Sequence, residues 1–315
     1  MTSQIVTIQR IHQETPEIKT FELLPDGGQL IEFSPGAHID VHLPGGLMRQ
    51  YSLWNGPSDR DAYRIGVKRE AKGRGGSAAM HELCEGDRLE VSFPRNHFEL
   101  QDSDGPAILL AGGIGITPIL AMARHLAAEG RPHVLHLFAR DTTFAPFLSQ
   151  LTRLPEAPVH LGLIPPTLVK VIAGILAQPD STAHLYLCGP GPFMDIVEQQ
   201  AAIAGWARDR VHMERFSASP ESLNLTGDGF EVVLQRSGRT IAVAVGETII
   251  EAMAAAGITP LTSCEQGVCG TCMTTVLEGT PDHRDQYLNA AEKASGTLIM
   301  PCVSRCKGKR LVLDL

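Results

Sequence analysis

Hydrophobic and polar positions alternate in short bursts over the first hundred residues. Ile5 to Arg10, Ile18 to Leu24, His38 to Leu43, Gln50 to Trp54, Tyr63 to Val67 and Arg88 to Ser92 each read as a strand, punctuated by Pro25-Asp26-Gly27-Gly28, Pro35-Gly36 and Pro44-Gly45-Gly46. Evenly spaced strands of this kind predict a small antiparallel barrel. One helix is predicted inside it, with Ser77 as N-cap. From about residue 106 the rhythm becomes strand and helix in alternation. Ala107 to Ala111 is a buried-strand run followed by a helix from Ile119 to Ala128, His133 to Ala139 and His184 to Cys188 are further strands, and a helix starts at Phe193. The last block predicts a hairpin of Phe230 to Gln235 and Thr240 to Val245 about Ser237-Gly238. A helix from Thr248 to Ala256 and strands at Met273 to Leu277 and Leu311 to Leu313 follow. Small and polar residues from Ser217 to Gly229 read as a linker. The predicted domains are residues 1–102, a β-barrel; 103–222, an α/β domain; 223–229, the linker; and 230–315, an α+β domain.

Three glycine-rich turns add chemistry to this outline. Gly73-Arg74-Gly75-Gly76 feeds the helix at Ser77, and a helix N-terminus beside an arginine is an anion site. Upstream, Arg49-Gln50-Tyr51-Ser52-Leu53 lies on a strand whose alternation puts Arg49 and Tyr51 on one face and Gln50 and Ser52 on the other. A cation and a ring on one side suit a flavin, with Arg49 at the phosphate, Tyr51 packed on the ring system or ribityl chain, and Ser52 near N5. On residue types alone the plainer reading is a cross-strand Tyr beside a solvated Arg. The other two turns shift the balance. Gly112-Gly113-Ile114-Gly115-Ile116-Thr117-Pro118 and Cys188-Gly189-Pro190-Gly191-Pro192 both stand at the carboxyl ends of predicted parallel strands, where open α/β sheets bind dinucleotides. The pattern only approximates the G-x-G-x-x-G fingerprint.

The densest signal is four cysteines, Cys264, Cys269, Cys272 and Cys302, spaced C-x4-C-x2-C-x29-C. That is the spacing of a plant-type ferredoxin holding a 2Fe-2S cluster. Gly267 and Gly270 supply the backbone freedom that a loop wrapped around a cluster requires. A zinc ribbon would need a second C-x2-C half, which is missing. Disulfides fit poorly with seven cysteines and with no secretory segment at Met1 to Arg10. The expected location is therefore the reducing cytoplasm. Cys306 is near Cys302 but does not keep the separation from Cys272.

Composition narrows the function further. The 315 residues are 43% hydrophobic and 20% charged, with a net charge of −8. This balance argues against nucleic acid as a partner, and no run approaches the roughly 20 apolar residues of a membrane span. The twelve histidines are scattered, with no H-E-x-x-H pair.

With these motifs together, the chain resembles the phthalate dioxygenase reductase family, which includes vanillate demethylase reductases, over essentially its whole length. The family's R-x-Y-S-L stands as Arg49 to Leu53, its G-R-G-G-S as Gly73 to Ser77, and its G-G-I-G-I-T-P as Gly112 to Pro118. Its C-G-P-x-x-[LF]-M stands as Cys188 to Met194 and its H-x-E-x-F as His212 to Phe216. The resemblance implies a ferredoxin-reductase-like flavin barrel, a nucleotide-binding α/β domain and a β-grasp ferredoxin domain. It implies FMN rather than FAD, with Lys68 counted among the cofactor-binding residues and Phe216 near the flavin. It also implies a Rieske-type oxygenase as electron acceptor. A hydride passes as an electron pair and a 2Fe-2S cluster takes one electron at a time, so a flavin must stand between them. The groups expected to position the reactants are Ser52, Thr117, Cys188 and Glu214. The strand His133 to Ala139 ends at Arg140-Asp141; a carboxylate there favours NADH by accepting from the ribose 2′-OH, whereas Arg140 pulls the other way. A flavin reductase without a dedicated oxygenase and a non-catalytic redox module are the competing readings.

Overall fold

The computed structural model describes residues 3–71, 73, 75–177, 180–217 and 225–315. They form two compact units, the first ending at Arg215 and the second starting at Phe216. Arg74 and the linker stretch 218–224 lie outside the described residues.

The first unit opens with β1 (Ser3–Thr15), β2 (Ile18–Pro25), β3 (His38–Leu43), β4 (Leu47–Ser52), β5 (Tyr63–Lys68), α1 (Gly76–Glu82) and β6 (Arg88–Ser92). The six strands form one sheet in the order β4-β3-β6-β1-β2-β5. A bridge between Leu53 and Ile65 draws its two edges together, so the sheet is a nearly closed barrel. Inward positions, among them Val6, Phe21, Ile39, Val41 and Ile65, fill it with fully buried apolar side chains. β1 is longer than Ile5 to Arg10, because two register shifts, at Ile8/Arg10 and Gln13/Thr15, let the strand bend with the barrel.

The chain then alternates through β7 (Ala107–Gly112), α2 (Ile116–Ala128), β8 (His133–Ala139), α3 (Leu148–Leu151), β9 (Val159–Leu161), α4 (Pro165–Leu176), β10 (His184–Cys188), α5 (Gly191–Ile203) and β11 (Val211–Glu214). These strands pair in parallel in the order β11-β10-β7-β8-β9. β7 is apolar throughout because both of its faces are covered. Leu109 packs in the layer with α2, and Leu110 in the layer with α4 and α5. The chain runs outward from β7 to β9 and then returns to the other side at β10. The switch point therefore lies between β7 and β10, where both glycine turns emerge.

The second unit holds β12 (Phe230–Leu234), β13 (Arg239–Val243), α6 (Ile249–Ala255), β14 (Thr274–Glu278), β15 (Pro281–Asp282), α7 (Ala290–Ser295), β16 (Leu298–Ile299), β17 (Arg305–Cys306) and β18 (Arg310–Leu313). Its mixed sheet runs β13-β12-β18-β14-β16, with β12 and β18 parallel. Thr248 caps α6 through a capping box with Glu251, satisfying two amide donors at the helix start.

Candidate redox sites

The geometry differs from the sequence expectation at Ser77. The cap position of α1 belongs to Gly75, which adopts the left-handed φ of 82° that a side chain would resist, and Ser77 sits inside the first turn. Its hydroxyl instead accepts the Glu70 amide at 3.0 Å, which pins the glycine turn to the end of β5. Arg49 reaches this turn from β4. A Cβ built on Gly76 would stand 2.5 Å from Arg49 Cγ and 2.6 Å from its Nε, so the arginine lies across the helix start only because residue 76 has no side chain. Guanidinium and helix N-terminus thus share one cradle, as a flavin phosphate needs. Tyr51 is close to Arg49, and burial pushes its phenol well above the ordinary range. Gln50 turns away to His38, whose ring nitrogen is 3.1 Å from the amide. Lys68 is engaged by Glu70 at 2.8 Å and Glu17 at 4.0 Å.

At the other end of β4, Ser52 donates to Glu214 Oε2 at 3.4 Å, and Glu214 is paired in register with Cys188 across β10 and β11. These three expected site residues, from strands far apart in sequence, therefore meet. Burial raises Glu214 from 4.5 to about 8, so it carries a proton at neutral pH. Cys188 is fully buried, and burial followed by the Glu214 charge pushes its thiol well above the usual range. The two glycine turns interlock beside this trio. A Cβ on Gly115 would be 2.3 Å from the Cys188 carbonyl oxygen, and one on Gly189 would be 3.0 Å from Gly112 Cα. One on Gly112 would press on Pro190 at 2.8 Å. Met194 is buried in the layer below, in α5. α2 begins at Ile116, three residues earlier than expected, because Pro118 is tolerated in a first turn. Thr117, buried there, bonds the Ile114 carbonyl and faces Gly66 of β5. Gly113 takes a positive φ of 52° in the turn. Beyond β8, Arg140 pairs with Glu17 at 3.1 Å and covers the Phe144 ring, while Asp141 Oδ1 caps the next turn through the amides of Thr143 and Phe144.

Because the Glu214 pKa is higher folded than unfolded, the folded chain holds that proton more tightly. Its contribution to stability is largest below about 4.5 and is lost as pH rises toward 8. Glu214→Gln, neutral at every pH, is expected to melt progressively higher than the parent as pH goes from 6 to 9. Thermal denaturation at the two pH values checks this, and a constant difference contradicts it.

The second unit places all four cysteines at one end of its sheet. Cys272 Sγ and Cys302 Sγ are 3.3 Å apart, and Cys264 shares a hydrogen bond with Cys269 that lowers the Cys269 thiol and raises its partner. Among the described residues no three His, Cys, Asp or Glu side chains converge on a single ion. Two thiol pairs are instead what a binuclear cluster asks for, two thiolates to each iron. Gly267 and Gly270 have φ of 69° and 73°, and even Glu265 is left-handed at 52°. Cys306 points elsewhere, its sulfur accepting the Gly308 amide at 3.2 Å. Phe216, at the start of this unit, is 37% exposed.

Flavin cradle, dinucleotide switch point and paired thiols define an oxidoreductase that couples a flavin to a 2Fe-2S cluster. Residues 5–100 match the oxidoreductase FAD-binding domain and 232–307 the 2Fe-2S iron-sulfur cluster binding domain. The vanillate O-demethylase oxidoreductase of Pseudomonas sp. (strain HR199 / DSM 7063) is 46% identical over 296 residues, 92% of either chain. The tetrachlorobenzoquinone reductase of Sphingobium chlorophenolicum is 40% identical over 98% of this chain and 97% of its own. The solved structure of phthalate dioxygenase reductase, described as a modular structure for electron transfer from pyridine nucleotides to [2Fe-2S], superposes with a TM-score of 0.76 at 38% identity. It covers 99% of this chain and 98% of that one. The chain belongs to the phthalate dioxygenase reductase family. No helix among the described residues is long and apolar enough to cross a membrane.

Proposed function

We propose that the protein is the reductase component of a Rieske-type oxygenase system, taking a hydride from NADH and delivering single electrons to the oxygenase. The observation that carries this reading is the paired-thiol site joined in one chain to the flavin cradle. The flavin, when bound, supplies the conversion from an electron pair to single electrons. FMN is favoured because the Arg49–Gly76 cradle closes on one phosphate. Arg49 with the amides at Gly75, Gly76 and Ser77 holds that phosphate, with Gly73 in the same turn. Tyr51 and Lys68 flank the bound ring system. Ser52 orients it from the end of β4, with Glu214 holding a proton on the far side of the Ser52 hydroxyl. The turns Gly112 to Pro118 and Cys188 to Pro190 hold the dinucleotide, with Thr117 and Cys188 against the nicotinamide. Cys264, Cys269, Cys272 and Cys302 hold the cluster. The domain boundaries 1–102, 103–222 and 230–315 follow the same division of labour, and seven cysteines with thiols left reduced suit the cytoplasm.

NADH is the proposed donor because Asp141, although it caps a turn, keeps acceptor capacity beside the expected ribose and repels a 2′-phosphate. A preference of about tenfold in kcat/KM corresponds to about 1.4 kcal/mol of such repulsion. Steady-state rates with the two nucleotides measure it. Equal values, or an unchanged ratio in Asp141→Ala, contradict it.

A second reading, direct reduction of a quinone, is favoured by the name of one relative. Purified protein supplied with NADH and either a Rieske oxygenase or a substituted benzoquinone separates the two. Oxygenase turnover supports the first, and quinone reduction that does not require the cluster supports the second.

A further inference from the structure

We propose that Asp285 is a positioning residue for the iron–sulfur cluster, the hub of a strap from His283 to Leu288 that ties the three-cysteine loop to the turn bearing Cys302 and sets the cluster's potential jointly with Lys293. This rests on the 2Fe-2S reading of the paired thiols. The side chain of Asp285 is wholly enclosed. A carboxylate in that position is costly unless hydrogen bonds and a cation compensate it, and each compensating group belongs to the cluster's surroundings. Oδ2 accepts the Leu288 amide at 2.8 Å, and Oδ1 accepts the hydroxyl of Ser304 at 3.3 Å. Ser304 is itself fully buried, stands two residues beyond Cys302, and also receives the Arg284 amide at 3.2 Å. The strap therefore grips the fourth-cysteine turn by both backbone and side chain.

Its other edge grips the loop. The Gln286 amide donates to the Gly267 carbonyl at 3.0 Å, midway between Cys264 and Cys269. A Cβ on Gly267 would stand 3.1 Å from Asp285 Cα, and one on Gly270 would enter the Tyr287 ring at 2.3 Å. The loop glycines are thus needed as much for this contact as for their positive φ. Leu288 of the strap packs with Cys272, Met300, Cys302 and Val303 in a small apolar cluster separate from the main core of the unit.

Charge completes the arrangement. Lys293 of α7 donates to the Asp285 carbonyl at 2.6 Å and lies 3.7 Å from Oδ2, and His283 Nδ1 is 3.6 Å from Oδ1. An electron arriving on the cluster adds one negative charge, so a fixed carboxylate nearby opposes its arrival and a fixed ammonium favours it. A strap that served folding alone would not give the two residues opposite effects on the potential.

The holoprotein tests this by EPR-monitored redox titration at low ionic strength. Asp285→Asn is expected to raise the cluster's midpoint potential and Lys293→Gln to lower it. Ser304→Ala, which changes no charge, is expected to release the cluster to a chelator about tenfold faster, the effect of one lost buried hydrogen bond. Shifts of the same sign in the two charge variants, or unmoved potentials in both with the cluster intact, overturn the proposal. If Asp285→Asn does not fold, Lys293→Gln decides alone, and a potential that does not fall is then sufficient to reject it. A wild-type protein without the EPR signal of a reduced 2Fe-2S cluster overturns the iron–sulfur reading instead.

Discussion

Replacing Cys264, Cys269, Cys272 or Cys302 singly with Ser is expected to remove the visible absorbance and EPR signal of the cluster, while Cys306→Ser leaves both intact. The thiols stand as two pairs, Cys264 with Cys269 and Cys272 with Cys302. On the proposed ligand set each pair would hold one iron, so losing any one sulfur would open one metal to solvent, and hydroxyl is a poor substitute for thiolate at iron. Cys306 belongs to β17, its strand pairs with Pro281, and its sulfur is occupied by the Gly308 amide. The prediction is all-or-none for four positions and null for the fifth. Loss of the signal in Cys306→Ser, or its retention in any one of the four, means the ligand set is wrong.

The second large effect is expected at Gly115. Its φ and ψ, −61° and −6°, suit any residue, so conformational freedom is not the reason for glycine there. The reason is space. A Cβ would stand 2.3 Å from the carbonyl oxygen of Cys188, 2.4 Å from its carbon and 2.6 Å from the Gly189 nitrogen, all backbone atoms that cannot rotate away. Gly115→Ala must push the turn after β7 off the turn after β10, and overpacking of this kind costs about 3 kcal/mol. With the dinucleotide on these two turns, as proposed, NADH binding should be lost while the barrel keeps its flavin. Equilibrium titration of the oxidised protein with NAD measures this. Affinity within twofold of wild type would show that the two turns can separate freely.

What the sequence revealed and what it hid follow from the range of the interactions. The cluster motif was legible because three of its cysteines fall within nine residues with Gly267 and Gly270 between them. The barrel strands and β7 were legible from alternation and from a continuous apolar run. α4 was not, because Pro165-Pro166 reads as a break although proline suits a first helical turn. β9, three residues long, is shorter than any periodic window. The helix start at Ser77 was displaced because a left-handed glycine took the cap. Other site features depend on contacts that leave no local trace. Ser52 and Glu214 are 162 positions apart, and Asp285 finds Ser304 only after the strap folds over the loop. Gln50 is also drawn to His38, whose burial lowers its pKa to about 3 and keeps the ring neutral. Alternation placed Gln50 on the Ser52 face but could not say that a histidine from β3 would occupy it.

Electrons are expected to enter at the nicotinamide site and to reach the oxygenase only through the cluster. The most direct measurement is the ratio of oxygenase-coupled turnover to NADH-dependent ferricyanide reduction, compared between wild type and Cys272→Ser. Ferricyanide can take electrons from the flavin, so that activity should survive the substitution, whereas turnover of a Rieske oxygenase should collapse and take the ratio toward zero. A ratio equal to that of wild type, in a protein shown by EPR to lack the cluster, would contradict the claim.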